Sequence, residues 1–199
     1  MRIIVASKNA HKVKELSRML DIDGIELVSL KDMGFEGEIE EDGNTFEENA
    51  YIKAKAVCDM YNEPAIADDS GLCVDYLDGK PGIYSARYAS CDGHNSDDVA
   101  NVEKLLNELK GVPYENRTAH FACAISLVFP DGRSVTVKGK CDGHITEKVC
   151  GNGGFGYDPV FYFDDFGKTF GETTDDEKNT VSHRYNAVKL IKEELLKII

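Results

Sequence analysis

Hydrophobic residues along the chain alternate between short unbroken runs and stretches where they recur every three or four positions, the pattern of an α/β fold. Residues 3–6 form an apolar run that predicts a buried first strand. Asn9 suits an N-cap, and Val13, Leu16 and Leu20, at i, i+3 and i+7, predict a helix over about 11–20. A second strand is expected over 25–30. Thr45 with Glu48 three residues on has the capping-box form and opens a helix to about Tyr61, with Phe46, Ala50, Ala54, Val57 and Tyr61 on its apolar stripe. The run at 65–67 predicts a short strand ending at the DDSG break of 68–71, and ligands favour such strand ends. Ser96 is placed as the cap of a helix to Leu109. Residues 117–129 give the longest strand signal, and the turn at 130–132 returns the chain into a partner strand over about 134–138. That hairpin makes the sheet mixed. A glycine-rich loop at 151–156 interrupts the second half, and a helix over about 183–199 closes the chain. No internal repeat or Pro/Gly/Ser linker is visible, so residues 1–199 are expected to form one domain of two lobes sharing a long mixed β-sheet flanked by helices.

Composition narrows what this fold would serve. The 199 residues carry 23 Lys+Arg against 36 Asp+Glu, a net charge of −13, which disfavours nucleic acid polymers and anionic membranes as partners. With 42% hydrophobic residues the chain has material for a core. The first apolar run is too short for a signal sequence and no run approaches a membrane span. Six cysteines are scattered without a CxxC pair, which argues against a zinc site and against a disulfide scaffold and makes a reducing cytoplasm the expected location.

Three groups of polar residues stand out. Residues 7–14, from Ser7 through Lys8, Asn9 and Lys12, lie at a helix start, where backbone N–H groups and the helix dipole attract anions and disfavour a lysine. Lys12 is either a solvated surface lysine or the partner of an anion. Asn49 and Lys53 share one face of the next helix, close to its apolar stripe, where Lys53 either snorkels or turns inward. Glu40, Glu41 and Asp42 precede that helix and Asp68 and Asp69 lie at a strand end; carboxylates from two segments suit Mg²⁺, although acidic loops are common in a chain this acidic. Side chains alternate along an extended backbone, so Asp68 and Asp69 are expected to do different work, one binding metal or activating water and the other holding the loop. Finally, the loop at 151–156 with Phe155, Tyr157, Lys178, His183 and Arg184 offers glycines for close backbone approach, aromatic faces for a base, and cations at a second helix start. Cations, carboxylates and aromatic faces together suit a nucleotide polyphosphate, yet no GxxxxGK[ST] loop is present.

The stretches SKNAHKVKEL at 7–16, EEDGNTFEENAYIKAKA at 40–56, AIADDSGLCVDYLDGKPGIYSARYA at 65–89, GNGGFGYDPVF at 151–161 and GKTFGETTDDEKNTVSHR at 167–184 resemble, in the same order, the non-canonical purine nucleoside triphosphate pyrophosphatases of the Ham1-like family. The resemblance implies hydrolysis of ITP, dITP and XTP to the monophosphate and pyrophosphate, with Mg²⁺ as cofactor, two lobes around a central cleft, and a homodimer. It further implies that Ser7, Lys8, Asn9, Lys12 and Lys53 grip the triphosphate, that Asp69 is the catalytic aspartate, serving as metal ligand or general base, with Glu41 rather than Glu40 sharing Mg²⁺, and that Ser70 contacts substrate. Phe155, Gly156, Tyr157, Asp158, Lys178, His183 and Arg184 match nucleobase-side positions. Ser7 stands where Thr is usual, Gly171 where Ala is frequent, and Tyr185 where Gly is common; Tyr185 bears on base choice. The competing readings are a pyrophosphatase for other modified nucleoside triphosphates and a non-catalytic nucleotide-binding regulator.

Overall fold

In a computed structural model, residues 1–91 and 93–198 are described. The chain runs β1 (Arg2–Val5), α1 (Ala10–Met19), β2 (Glu26–Ser29), α2 (Phe46–Tyr61), β3 (Ala65–Val74), α3 (Asp98–Glu108), β4 (Thr118–Val128), β5 (Ser134–Ile145), β6 (Phe161–Phe163), β7 (Lys168–Thr169), α4 (Asp175–Lys178) and α5 (His183–Ile198), with short 3-10 turns between. The strands form one sheet in the order β2-β1-β3-β4-β5-β6-β7. β1 pairs in parallel with β2 and β3, whereas β5–β6 and β6–β7 are antiparallel, so the sheet is mixed as the hairpin signal implied. Among the described residues no helix is long and apolar enough to cross a membrane.

The chain divides into two compact units, the first comprising Met1–Asp69, Cys123–Gly139 and Arg184–Ile199, the second Ser70–Ala122 and Lys140–His183. The first unit has two cores. In one, Ile3, Val5, Leu16 and Leu20 pack with Ile125, Leu127, Ile191 and Leu195; in the other, Ile4 and Ala6 pack with Ala54, Val57, Ala65 and Ala67. Neighbouring residues of β1 therefore feed opposite cores, which is why its sequence is apolar without alternation. The second unit has its own core, in which Leu105 of α3 and Leu109 just after it meet Phe121, Phe161 and Phe170.

Local chemistry explains most helix starts. The Asn9 side chain accepts from the amides of His11 and Lys12, and Thr45 Oγ1 accepts from Glu48 N at 3.1 Å. The Glu48 carboxylate reaches Asn44 N, one residue earlier than a capping box requires. At α3 the cap is Asp97, not Ser96: the Asp97 carboxylate accepts from Val99 N, and the Ser96 amide is spent on the Ala86 carbonyl.

Two strands are longer than their hydrophobic signal. β5 continues to Ile145 because Gly139, Cys141, Gly143 and Ile145 point inward while Lys140 and Asp142 point outward, so every second position is polar. β3 continues through Val74, and the DDSG run lies inside the strand instead of ending it. Asp68 and Asp69 are buried, and cations from other elements meet them there, which outweighs the burial penalty at Asp68 and reduces it at Asp69, so the strand continues through two carboxylates. The expectation for Ile199 falls outside the described residues.

Burial also sets thiol chemistry. The Cys123 and Cys141 thiols are pushed up to about 12 by burial, whereas Cys91 is exposed. At pH 8 a thiol with a pKa near 12 is only about 0.01% thiolate, and the thiolate is the reactive form. Iodoacetamide on the native protein should therefore label Cys91 long before Cys123 or Cys141, as peptide mass mapping against time would record; equal labelling rates would contradict the burial.

Candidate active site

Within the first unit, two clusters form around the neighbouring acids of β3. Asp68 Oδ2 lies 3.5 Å from Lys12 Nζ of α1 and accepts from Arg184 Nε and Nη2, on α5, at 3.3 and 3.0 Å. Arg184 Nη1 in turn donates to Glu15 of α1. Burial alone would raise the Asp68 carboxyl, but Lys12, Arg184 and Lys53 outweigh it and hold the group well below the usual carboxylate range. Arg184 is fully buried and its guanidinium is held well above its ordinary value: burial opposes the charge, but Asp68 and Glu15 outweigh it.

Asp69 meets different groups. Its Oδ1 is 3.7 Å from Lys53 Nζ and its Oδ2 accepts from Asn49 Nδ2 at 3.2 Å. Lys53 also lies 3.1 Å from Glu41 Oε1, so Glu41 and Asp69 converge on one ammonium. Here burial prevails over Lys53 and Lys12, Glu41 adds repulsion, and the Asp69 carboxyl is raised. Lys53 is raised as well, because Asp69, Glu41 and Asp68 outweigh the burial of its ammonium. Asn49 fixes the geometry, since its Oδ1 accepts from Gly43 N at 2.9 Å and so ties the acidic segment to the same side chain that holds Asp69. A Cβ at Gly43 would come within 2.7 Å of that oxygen, which is why glycine stands there.

Glu41 and Asp69 supply two hard oxygen donors from separate segments, a set that fits Mg²⁺ when water and substrate phosphate complete its shell. Among the described residues no group of three or more His, Cys, Asp or Glu converges on one point. Glu40 and Glu41 are both exposed, and Glu41 is the acid of that segment that meets Lys53.

The remaining first-unit residues are also placed. Ser7 Oγ accepts from Asn9 N at 3.3 Å, which shapes the turn into α1. Lys8 Nζ donates to the Glu36 carbonyl at 3.1 Å and sits 5.6 Å from the centre of the Phe35 ring, so it ties β1's end to the 35–36 segment.

The second unit begins at Ser70, half-buried on β3 directly after Asp69. Its distinctive feature is a buried pair, Lys178 Nζ donating to Asp158 Oδ2 at 2.6 Å. The same Asp158 oxygen accepts from Phe155 N at 2.9 Å, and the Lys178 ammonium lies 4.6 Å from the Phe155 ring centre and 5.9 Å from that of Phe170. The His183 ring stacks on Phe121 with centroids 4.7 Å apart. Tyr157 offers no open face: it is buried and its hydroxyl donates to the Ser85 carbonyl at 2.8 Å. Phe155 is the half-buried ring of the loop.

Gly154 permits this arrangement, because a Cβ there would fall 2.1 Å from Asp158 Oδ2 and its φ is +71°. Gly154→Ala should therefore displace the Asp158 carboxylate and cost roughly 1–3 kcal/mol, a melting point lower by several degrees, readable by thermal denaturation. An unchanged melting point would show that the loop absorbs the side chain without strain.

Comparison with known proteins bears on these clusters. The sequence profile of the Ham1 family matches residues 3–194. This chain belongs to the Ham1 family. The dITP/XTP pyrophosphatase of Bacillus subtilis is 50% identical over 192 residues, covering 96% of each chain, and that of Geobacter sulfurreducens is 49% identical over 98% of this chain and 96% of its own. The solved structure of the Staphylococcus aureus Ham1 protein superposes with a TM-score of 0.89 at 39% identity over the whole of both chains. A Mycobacterium abscessus nucleoside-triphosphatase/dITP/XTP pyrophosphatase gives a TM-score of 0.78 at 44% identity, covering 96% of this chain and 98% of that one. The mixed α/β sheet is thus the fold of this Ham1 family member.

Motif reading grouped Arg184 with the base-side residues, but its guanidinium lies with Lys12, Glu15 and Asp68. Glu15 was not singled out by the motifs, although it lies three residues after Lys12 and so on the same side of α1. Asp98 and Phe121 carry no motif signal either, since their partners Gly156 and His183 are distant in sequence and no local spacing marks them.

Proposed function

We propose that this Ham1 family protein hydrolyses non-canonical purine nucleoside triphosphates, ITP, dITP and XTP, to the monophosphate and pyrophosphate, using Mg²⁺, as a cytoplasmic homodimer whose two lobes form one domain. The observation that carries the reading is the Asp69 site: a buried, raised carboxylate beside Lys53 and Asn49, within reach of a second carboxylate. The kinship to proteins named dITP/XTP pyrophosphatase supports it.

A triphosphate is a polyanion, and Lys12 and Lys53 supply ammonium groups for it next to the helix start that Asn9 caps. Glu41 and Asp69 would hold Mg²⁺, which when bound neutralises phosphate charge. Asp69 orients the attacking water and accepts its proton, a task suited to a raised carboxylate. Water oxygen bonds to the α-phosphorus as the bond from that phosphorus to the α–β bridging oxygen breaks. The departing pyrophosphate keeps that oxygen, and Lys12 and Lys53 stabilise its charge. Asp68, neutralised by Arg184 and Lys12, keeps Lys12 in place without competing for the proton. In the second unit, Phe155 supplies a face for the base and Lys178 a donor for a 6-oxo group. Adenine carries a 6-amino donor at that position and would leave the lysine's hydrogen unaccepted, a mismatch that discriminates by roughly 10⁴-fold or more.

The test is pyrophosphate release from ITP, XTP, ATP, GTP and dUTP with Mg²⁺. Rapid release from ITP and XTP with little from ATP is expected. Similar rates on ITP and ATP would overturn the base selectivity, preference for dUTP would move the substrate class, and no release from any would overturn the enzyme.

A further inference from the structure

The glycine-rich loop has little stiffness of its own. Gly151, Gly154 and Gly156 have φ of +80°, +71° and +59°, a region open mainly to glycine. Nearby hydrogen bonds hold it in part: Cys150 N to the Pro159 carbonyl and Gly153 N to the Gly171 carbonyl, each at 2.8 Å, and Phe155 N to Asp158 Oδ2. A further tie comes from 58 residues away. Gly156 N donates to Asp98 Oδ2 at 2.7 Å. Asp98 is the first residue of α3, yet the helix is capped by Asp97, so the Asp98 side chain is not needed for that job. Asp98 is exposed, so its carboxylate does not fill the core either. A charged acceptor at 2.7 Å is the short, charge-assisted kind of hydrogen bond.

We propose that Asp98 is a positioning residue for the base-recognition side: by fixing the Gly156 amide it sets the ring of Phe155, the residue before, against the Lys178 ammonium. The proposal rests on the reading that Phe155 and Lys178 receive the base. Because the tie touches the loop and not the Lys12–Lys53 groups, its loss acts on recognition of the nucleoside and leaves recognition of the phosphates unaltered.

Three variants in the full chain decide it: Asp98→Ala, Asp98→Asn and Phe155→Ala, each assayed for KM and kcat on ITP and for the inhibition constant of tripolyphosphate, which has no base. Asp98→Ala is expected to raise KM about tenfold, the scale of one charge-assisted hydrogen bond, with kcat within about twofold and the tripolyphosphate constant unchanged. Asp98→Asn, which keeps an acceptor oxygen, should recover most of that loss. An unchanged KM in Asp98→Ala beside a raised KM in Phe155→Ala overturns the role of Asp98 alone. An unchanged KM in Phe155→Ala overturns the base-side reading, and with it any action of Asp98 through that ring. A weakened tripolyphosphate constant in Asp98→Ala, or no recovery in Asp98→Asn, assigns Asp98 to general structure and overturns the proposal.

Discussion

Asp69→Asn is expected to lower pyrophosphate release from ITP by about 10³-fold or more, because in the proposed mechanism it removes the proton acceptor and one of the two negative charges that would hold Mg²⁺. Binding should survive. The amide occupies the carboxylate's volume, still accepts through its oxygen, and leaves Lys12 and Lys53 to meet the triphosphate. The substitution should also leave the melting point level or slightly raised, since burial and Glu41 make the ionised Asp69 unfavourable in the folded state. Steady-state turnover, ITP titration calorimetry and thermal denaturation read the three parts. Turnover close to that of the unaltered protein would remove Asp69 from its role.

The neighbouring acid should behave in the opposite way. Asp68→Ala leaves Arg184 and Lys12 facing a buried space without the carboxylate that neutralises them, and a broken buried pair of this kind costs about 3–5 kcal/mol. For a chain of this size that is a melting point lower by about 10 °C. The sign of the pH effect follows from the depressed carboxyl. Its ionised form contributes stability that is fully present above the unfolded value of about 4 and is lost as pH falls through the lower folded value. The unaltered protein should therefore lose melting temperature more steeply than Asp68→Asn as pH is lowered below about 4. Parallel curves for the two proteins, or a melting point in Asp68→Ala within a degree or two of the starting value, would show that the pair holds little of the fold.

These paired outcomes show how far the sequence could be read. Alternation along an extended chain was enough to assign Asp68 and Asp69 different work, and β3 turns them to different partners. The strand itself was misjudged, because a run of two carboxylates looks like a strand end until Lys12, Lys53 and Arg184 arrive from other parts of the chain. The turn of Lys53 toward the interior was visible as an open choice in the stripe of α2; the choice was settled by Glu41 and Asp69, whose charges offset its desolvation. Arg184 could be seen to open a helix, but its company could not, since Glu15 lies 169 residues away.

What the sequence by itself determined is β1 to β5, the four longer helices and the family, because strand and helix periods, caps and glycine turns are local and the motifs recur in order along the chain; β6, β7 and α4, at two to four residues each, are too short to carry a period. What the tertiary structure decided is the pairing of charges. Which carboxylate is held ionised and which is raised depends on distances of 3 to 4 Å between residues far apart in sequence, and on burial that no local pattern fixes.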